Sequence, residues 1–98
     1  MINKPLVSVL MTCYNREPYI SEAIDSVLDS HFTNFELIIV DDCSTDNTLE
    51  SAKKYEAKDK RIQVYVNEKN LGDYPNRNKA ASYAKGKYLK YLDSDDKI

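Results

Sequence analysis

The sequence predicts an α/β fold, a three-layer sandwich around a mostly parallel sheet with strand order 3-2-1-4. Three observations point there. Short apolar, β-branched runs alternate with stretches of helical apolar spacing, strand then helix three times and then a last strand. The connections between them are short, which favours parallel strands joined by right-handed crossovers with helices on both faces. One run, Phe35 to Val40, is apolar almost throughout, as a strand covered on both faces should be.

In chain order, Leu6 to Met11 reads as a buried strand that ends at Thr12-Cys13-Tyr14-Asn15. Ile20, Ala23, Ile24, Val27 and Leu28 then recur at helical spacing. Pro18 falls in the first turn of that helix, where a missing amide donor costs nothing. Ser30 to Asn34, including His31, reads as a turn. The second strand, Phe35 to Val40, ends at Asp41-Asp42, and Ser44, Thr45, Asp46 and Asn47 are candidate N-caps for a helix from Thr48 to Ala57. Lys58 to Arg61 is a solvated connection. Ile62 to Val66 alternates and reads as a half-exposed edge strand. A polar loop containing Gly72 follows, and Pro75 opens a third helix with Ala80, Ala81 and Ala84 on its close-packing face. Gly86 is expected as that helix's C-terminal cap. Tyr88 to Leu92 is the fourth strand, running into Asp93-Ser94-Asp95-Asp96.

Composition narrows the function. The chain has 98 residues, 42% hydrophobic and 31% charged, which suits one soluble domain or part of one. No apolar run is long enough to cross a bilayer, and the start lacks a signal-peptide cleavage pattern. A cytoplasmic location is therefore expected, with membrane association left open for a longer parent. The formal net charge of −2 gives no electrostatic case for nucleic acid as a partner. Cys13 and Cys43 lack zinc or disulfide-framework spacing and are expected to be buried free thiols. No glycine-rich turn follows the first strand, which argues against a dinucleotide or Walker-type site.

Topology then suggests a site. In parallel sheets ligands bind beyond the carboxyl ends of the strands, where the strand order reverses. Those ends carry Thr12 and Tyr14, then Asp41 and Asp42, then Asp93 and Asp95. Carboxylates one residue apart at a strand end can share one hard cation, Mg2+ or Mn2+, leaving room for phosphate oxygens. An Asp-Ser-Asp-Asp run alone is more often a solvated turn, and the apolar strand before it and the earlier Asp pair shift that balance. A carboxylate of the Asp41-Asp42 pair can accept a hydrogen bond from a base imide or a ribose hydroxyl. Base contact and helix capping are expected to be split between Asp41 and Asp42. Tyr14 can stack on a base. Arg77 and Lys79 lie early in the third helix, where they can meet phosphate, although a solvated face suits Lys79 better.

Val7 to Asn15, Ile39 to Thr48 with its Asp-Asp-Cys-Ser-Thr-Asp, Asn70-Leu71-Gly72 with Arg77-Asn78, and Ala84 to Asp96 resemble, in order, the family 2 glycosyltransferases. Each motif is weak alone, but their order and spacing are specific and cover essentially the whole chain. The resemblance implies the Rossmann-like half of the GT-A nucleotide-diphospho-sugar transferase fold. It implies inverting transfer of a sugar from a nucleotide-diphospho-sugar, with a UDP-sugar favoured, to a saccharide or lipid-linked acceptor in surface polysaccharide synthesis, with Mg2+ or Mn2+. By position, Thr12 and Tyr14 line the base pocket with Asn15 beside them, Asp42 reads the base, and Arg77 lies near the nucleotide. Asp93 and Asp95 form the DXD motif, with Asp95 the foremost metal ligand. Residues 1–98 are then expected to be the truncated N-terminal, donor-binding part of one transferase domain. Acceptor site and general base would lie elsewhere, so donor binds without turnover. Self-association is expected through the fourth-strand edge, with Tyr88, Leu89, Tyr91 and Leu92. The alternative is a non-catalytic signalling or interaction module with an acidic metal site. A receiver-like domain, however, needs an Asp after its third strand, where this chain has Asn67.

Overall fold

Val7–Cys13 forms β1 and Phe35–Asp41 forms β2, paired in parallel from Val7 opposite Phe35 to Cys13 opposite Asp41. Ile62–Val66 forms β3 on the far side of β2, and Tyr88–Asp93 forms β4 on the far side of β1. The order is β3-β2-β1-β4, all parallel, as the sequence predicts. The computed structural model describes residues 5–30 and 34–93, apart from the side chains of Asp73, Tyr74 and Asp93. His31, Ser94, Asp95 and Asp96 lie outside the described residues. β1 runs two residues beyond its predicted end and β4 one. The ladder continues because β2 supplies Asp41 opposite Cys13, and β1 supplies Thr12 opposite Asp93.

Glu17–Leu28 (α1) and Thr48–Lys58 (α2) cover one face. Their Ile20, Ile24, Val27 and Ala52 pack with Val9, Met11, Leu37 and Ile39 of the sheet. Asp73–Ser82 (α3) covers the other, where Ala80 meets Leu10, Ile38 and Val40. The alternation of side chains along β1 and β2 feeds both cores, so β2 is buried along its whole length. Pro18 sits in the first turn of α1, as expected. Among the described residues no helix is long and apolar enough to cross a membrane.

Between α3 and β4 the structure departs from expectation. α3 starts at Asp73, before Pro75, and ends at Ser82, with Tyr83 at its C-cap in right-handed conformation. Gly86 is therefore not the cap. A Cβ there would lie 2.6 Å from Ser8 Oγ, 2.7 Å from Ser8 N and 2.9 Å from Val7 C, so glycine is required by close approach to β1. Gly86 N–H donates to Ser8 Oγ at 2.7 Å, and Ser8 Oγ donates to the buried Glu36 Oε2 at 2.6 Å. Glu36 also accepts from Lys85 N–H at 2.6 Å and Gln63 Nε2 at 3.0 Å. This clamp ties the chain entering β4 to the middle of the sheet. On β4, Tyr88, Leu89 and Tyr91 are exposed, but Leu92 faces the α1/α2 core and is buried, contrary to expectation.

Candidate functional site

The carboxyl ends of the strands gather on one edge of the sheet. β1 delivers Thr12, Tyr14 and Asn15. β2 delivers Asp41 and Asp42, β3 ends before Asn67, and β4 places Asp93 directly opposite Thr12. The reversal of strand order thus falls between Thr12 and Asp93, as topology predicts. Thr12 is half-buried, while Tyr14 is exposed.

Asp42 is buried, and its carboxylate organises the loop after β3. Oδ1 accepts from Asn67 Nδ2 at 2.8 Å and Leu71 N–H at 2.7 Å, and Oδ2 accepts from Gly72 N–H at 3.0 Å. Its carbonyl accepts from Asn70 Nδ2 at 3.3 Å. Each carboxylate oxygen has two lone pairs, so Oδ1 is filled and Oδ2 can accept one further donor. Asn67 Nδ2 also donates to Asn76 Oδ1 at 2.8 Å, and Asn76 Nδ2 to the Val40 carbonyl at 3.4 Å. These bonds fix both amide orientations and leave Asn67 Oδ1 buried without a hydrogen-bond partner among the described residues. The sequence reading missed Asn67 and Asn76. Their side chains point at a carboxylate and a carbonyl on another strand, and no spacing rule announces that.

Asp41 is fully buried and does different work. Ser44 donates to it twice, from N–H to Oδ2 at 2.9 Å and from Oγ to Oδ1, and the Cys13 thiol donates at 3.5 Å. Burial first, and Asp41 beside it second, push the Cys13 thiol far above its ordinary pKa. The expected division of base contact and capping between Asp41 and Asp42 is not found, because neither caps α2. Asp46 does that work instead, accepting from Thr48 N–H at 2.9 Å and from the Thr48 hydroxyl. Burial pushes the Asp46 carboxyl up, and the Thr48 hydrogen bonds outweigh it, so its pKa falls below the ordinary value. Both cysteines are free, but only Cys13 is buried; Cys43 is half-buried, in left-handed backbone at φ 63°.

The loops after β1 and β2 are stitched together. Asn15, left-handed at φ 52°, donates from N–H to Ser44 Oγ at 2.9 Å, and its Oδ1 accepts from Thr45 N–H at 2.8 Å. The first amides of α1 donate to the other loop, Arg16 N–H to Thr48 Oγ1 at 2.8 Å and Glu17 N–H to Asp46 Oδ2 at 3.3 Å. In return Glu17 Oε1 accepts from Asn47 N–H at 3.2 Å. The start of α1 is thus capped by Asp46 and Thr48, and the Asn47 amide at the start of α2 by Glu17 of α1, satisfying amides that have no partner within their own helix. On the opposite face of the sheet the Arg77 guanidinium lies 5.3 Å from the centroid of the Tyr91 ring, two residues before Asp93. Lys79 is half-buried further along α3.

Among the described residues, no three His, Cys, Asp or Glu side chains converge to hold a metal. The carboxylates of Asp41 and Asp42 are already engaged by protein donors. Asp93 ends β4 beside Thr12, and Asp95 lies beyond the described residues. Carboxylates one residue apart in sequence, as these two are, have the oxygen chemistry that Mg2+ and Mn2+ take.

The model of Glycosyl transferase family 2 matches residues 8–98. A Bacillus subtilis (strain 168) protein named for teichuronic acid biosynthesis, the glycosyltransferase TuaG, is 50% identical over 94 residues, which are 96% of this chain and 37% of that protein. The Escherichia coli UDP-Glc:alpha-D-GlcNAc-diphosphoundecaprenol beta-1,3-glucosyltransferase WfgD is 45% identical over 91 residues, 93% of this chain and 35% of that one. The crystal structure of S. aureus TarS 1-349 superposes with a TM-score of 0.87 at 40% identity, covering 94% of this chain and 28% of that one. TarS 1-349 has also been solved in complex with UDP and with UDP-GlcNAc. The chain thus spans well under half the length of these relatives.

Proposed function

The chain belongs to glycosyl transferase family 2, and from that premise we propose that its strand-end edge binds a nucleotide-diphospho-sugar, a UDP-sugar above others, for transfer to an acceptor in surface polysaccharide synthesis. The observation that carries the reading is the arrangement at the switch point. Asp93 is opposite Thr12, and the buried Asp42 keeps one accepting lone pair on the same edge. Asp42 Oδ2 accepts the imide N–H of uracil, Tyr14 offers its exposed ring to the base, and Thr12 lines the pocket beneath. Asn15 stands beside Tyr14 and offers its Nδ2 to the nucleotide. Arg77 supplies positive charge near the diphosphate. Asp93 and Asp95 hold Mg2+ or Mn2+, which when bound neutralises the diphosphate so that it can leave. The UDP and UDP-GlcNAc complexes of TarS support uridine as the base, and the WfgD name supports a lipid-linked saccharide acceptor. None of these residues is given the role of general base, so the chain is expected to bind donor without turning it over.

Calorimetry or ligand-observed NMR tests this. UDP with Mn2+ is expected to bind in the ~0.1–1 mM range, since a partial pocket and a small ligand gain limited energy. Asp95→Asn should remove the gain in affinity from metal. Asp42→Asn should weaken base recognition and keep metal dependence, with hydrogen exchange at Leu71 and Gly72 monitored because Asp42 also holds those amides. If no nucleoside diphosphate binds with either metal, the reading fails. If Asp95→Asn leaves the metal dependence intact, the ligand assignment fails.

A further inference from the structure

Asp41 is a fully buried carboxylate whose side-chain partners among the described residues are neutral, and the proposed binding scheme gives it nothing to touch. Ser44 Oγ has one proton and gives it to Asp41 Oδ1. Its lone pairs are thereby turned outward, and one accepts the Asn15 N–H at 2.9 Å. Asn15 Oδ1 is in turn held by Thr45 N–H at 2.8 Å and by the Thr45 hydroxyl at 3.3 Å. These bonds over-determine a left-handed Asn15, which unaided costs a non-glycine residue free energy. Tyr14 sits between that residue and Cys13, whose own carbonyl is bonded by Asp42 N–H at 2.8 Å. Both peptide neighbours of Tyr14 are therefore fixed from the β2 loop, while its ring is exposed.

We propose that Asp41, Ser44 and Asn15 form a positioning relay that holds the Tyr14 ring where a nucleotide base stacks. Asp41 then acts on the ligand through Ser44 and Asn15 without contacting it. This rests on the donor-binding reading above, in which Tyr14 meets the base. The relay preorganises the stacking platform, so its loss lowers affinity for any ligand carrying the base, with or without phosphates.

The test is a double-mutant cycle with uridine and with UDP plus Mn2+ as probes. Ser44→Ala should weaken both by about fivefold, the loss of roughly one net hydrogen bond. Ser44→Thr, which keeps the hydroxyl, should restore binding. In a Tyr14→Ala background, Ser44→Ala should cost nothing further, because the platform it positions is gone. Full additivity in that background, or wild-type affinity in Ser44→Ala, overturns the proposal. If Ser44→Ala does not fold, Asn15→Ala serves instead; it keeps the Asp41–Ser44 bonds, removes the acceptor for Thr45 and disfavours the left-handed backbone. Because Asn15 is also offered to the nucleotide, part of its loss should persist in the Tyr14→Ala background, but a loss there as large as in the unsubstituted chain overturns the proposal. Amide exchange at Asn15 separates the two readings. Failure of the wild-type chain to bind either probe refutes donor binding. Faster Asn15 exchange in Ser44→Ala, reversed in Ser44→Thr, still supports the relay, and unchanged exchange refutes it.

Discussion

Replacing Gly86 with alanine tests how the acidic strand is held in register. The new Cβ would lie 2.6 Å from Ser8 Oγ, 2.7 Å from Ser8 N and 2.9 Å from Val7 C. Two of those atoms are backbone of β1, which is paired on both sides and cannot give way. The Gly86 segment must retreat instead, taking with it the Gly86 N–H bond to Ser8 Oγ and the Lys85 N–H bond to Glu36. Overpacking costs about 1–3 kcal/mol, and each lost hydrogen bond about 1 kcal/mol. A destabilisation of about 3 kcal/mol is expected, which at this chain length lowers Tm by roughly 10–20 °C. Thermal and urea unfolding of Gly86→Ala give the number. Gly72→Ala is a backbone-only comparison: its Cβ would meet nothing within 4 Å, but φ 89°, ψ 171° is a region essentially confined to glycine, so about 1–3 kcal/mol of strain is expected there without any close contact. The functional consequence follows from register. β4 carries Asp93 opposite Thr12, so Gly86→Ala should weaken the metal-dependent part of UDP binding more than the binding of uridine. A Gly86→Ala protein within about 1 kcal/mol of the unsubstituted chain would refute the close-approach argument.

Other expectations can be checked together. A thiol reagent should modify Cys43 quickly and Cys13 only on unfolding, since Cys13 is buried and its pKa is raised; equal rates would contradict that placement. The raised Cys13 value stabilises the fold below the ordinary thiol value of 9.0, and that contribution should drain away as pH climbs past it, with Cys13→Ala flattening the alkaline limb. Asp59, held down by its hydrogen bond from Arg61, and Asp46, held down by Thr48 against the opposing effect of burial, act with the opposite sign. Their contribution is present above 3.8 and lost as pH falls through their lowered values, so Asp46→Asn should soften the acid limb of a pH–stability curve. The β4 edge, with Tyr88, Leu89 and Tyr91 exposed, should drive self-association visible by light scattering and relieved by Leu89→Lys; a clean monomer at high concentration would count against it.

The sequence by itself determined the elements, while the strand order and the adjacency of Thr12 and Asp93 were expectations of fold that the sheet bears out. The elements depend on which residues seek burial, and periodicity along the chain records that directly: Leu37 to Val40 reads as a covered strand, and Ile20 to Val27 as a helix with one apolar face. The same logic located the strand ends where chemistry collects. Tertiary structure alone decided what the polar residues there do. Asp42 meets Asn67 across 25 residues of sequence, Asn15 meets Ser44 across 29, and Gly86 meets Ser8 across 78. A hydrogen bond needs its partners within about 3 Å at the right angle, and nothing in either local segment encodes the other's approach. Hence Gly86 read as a helix cap when it is a contact with β1, the residues of the Asp41-Asp42 pair suggested a division between base contact and capping when one holds Ser44 and the other the Asn67–Gly72 loop, and Asn67 registered only as the residue after the third strand. Apolar patterning is a one-dimensional signal because burial is averaged over many neighbours, whereas a polar network is set by single pairs that only the folded sheet brings together.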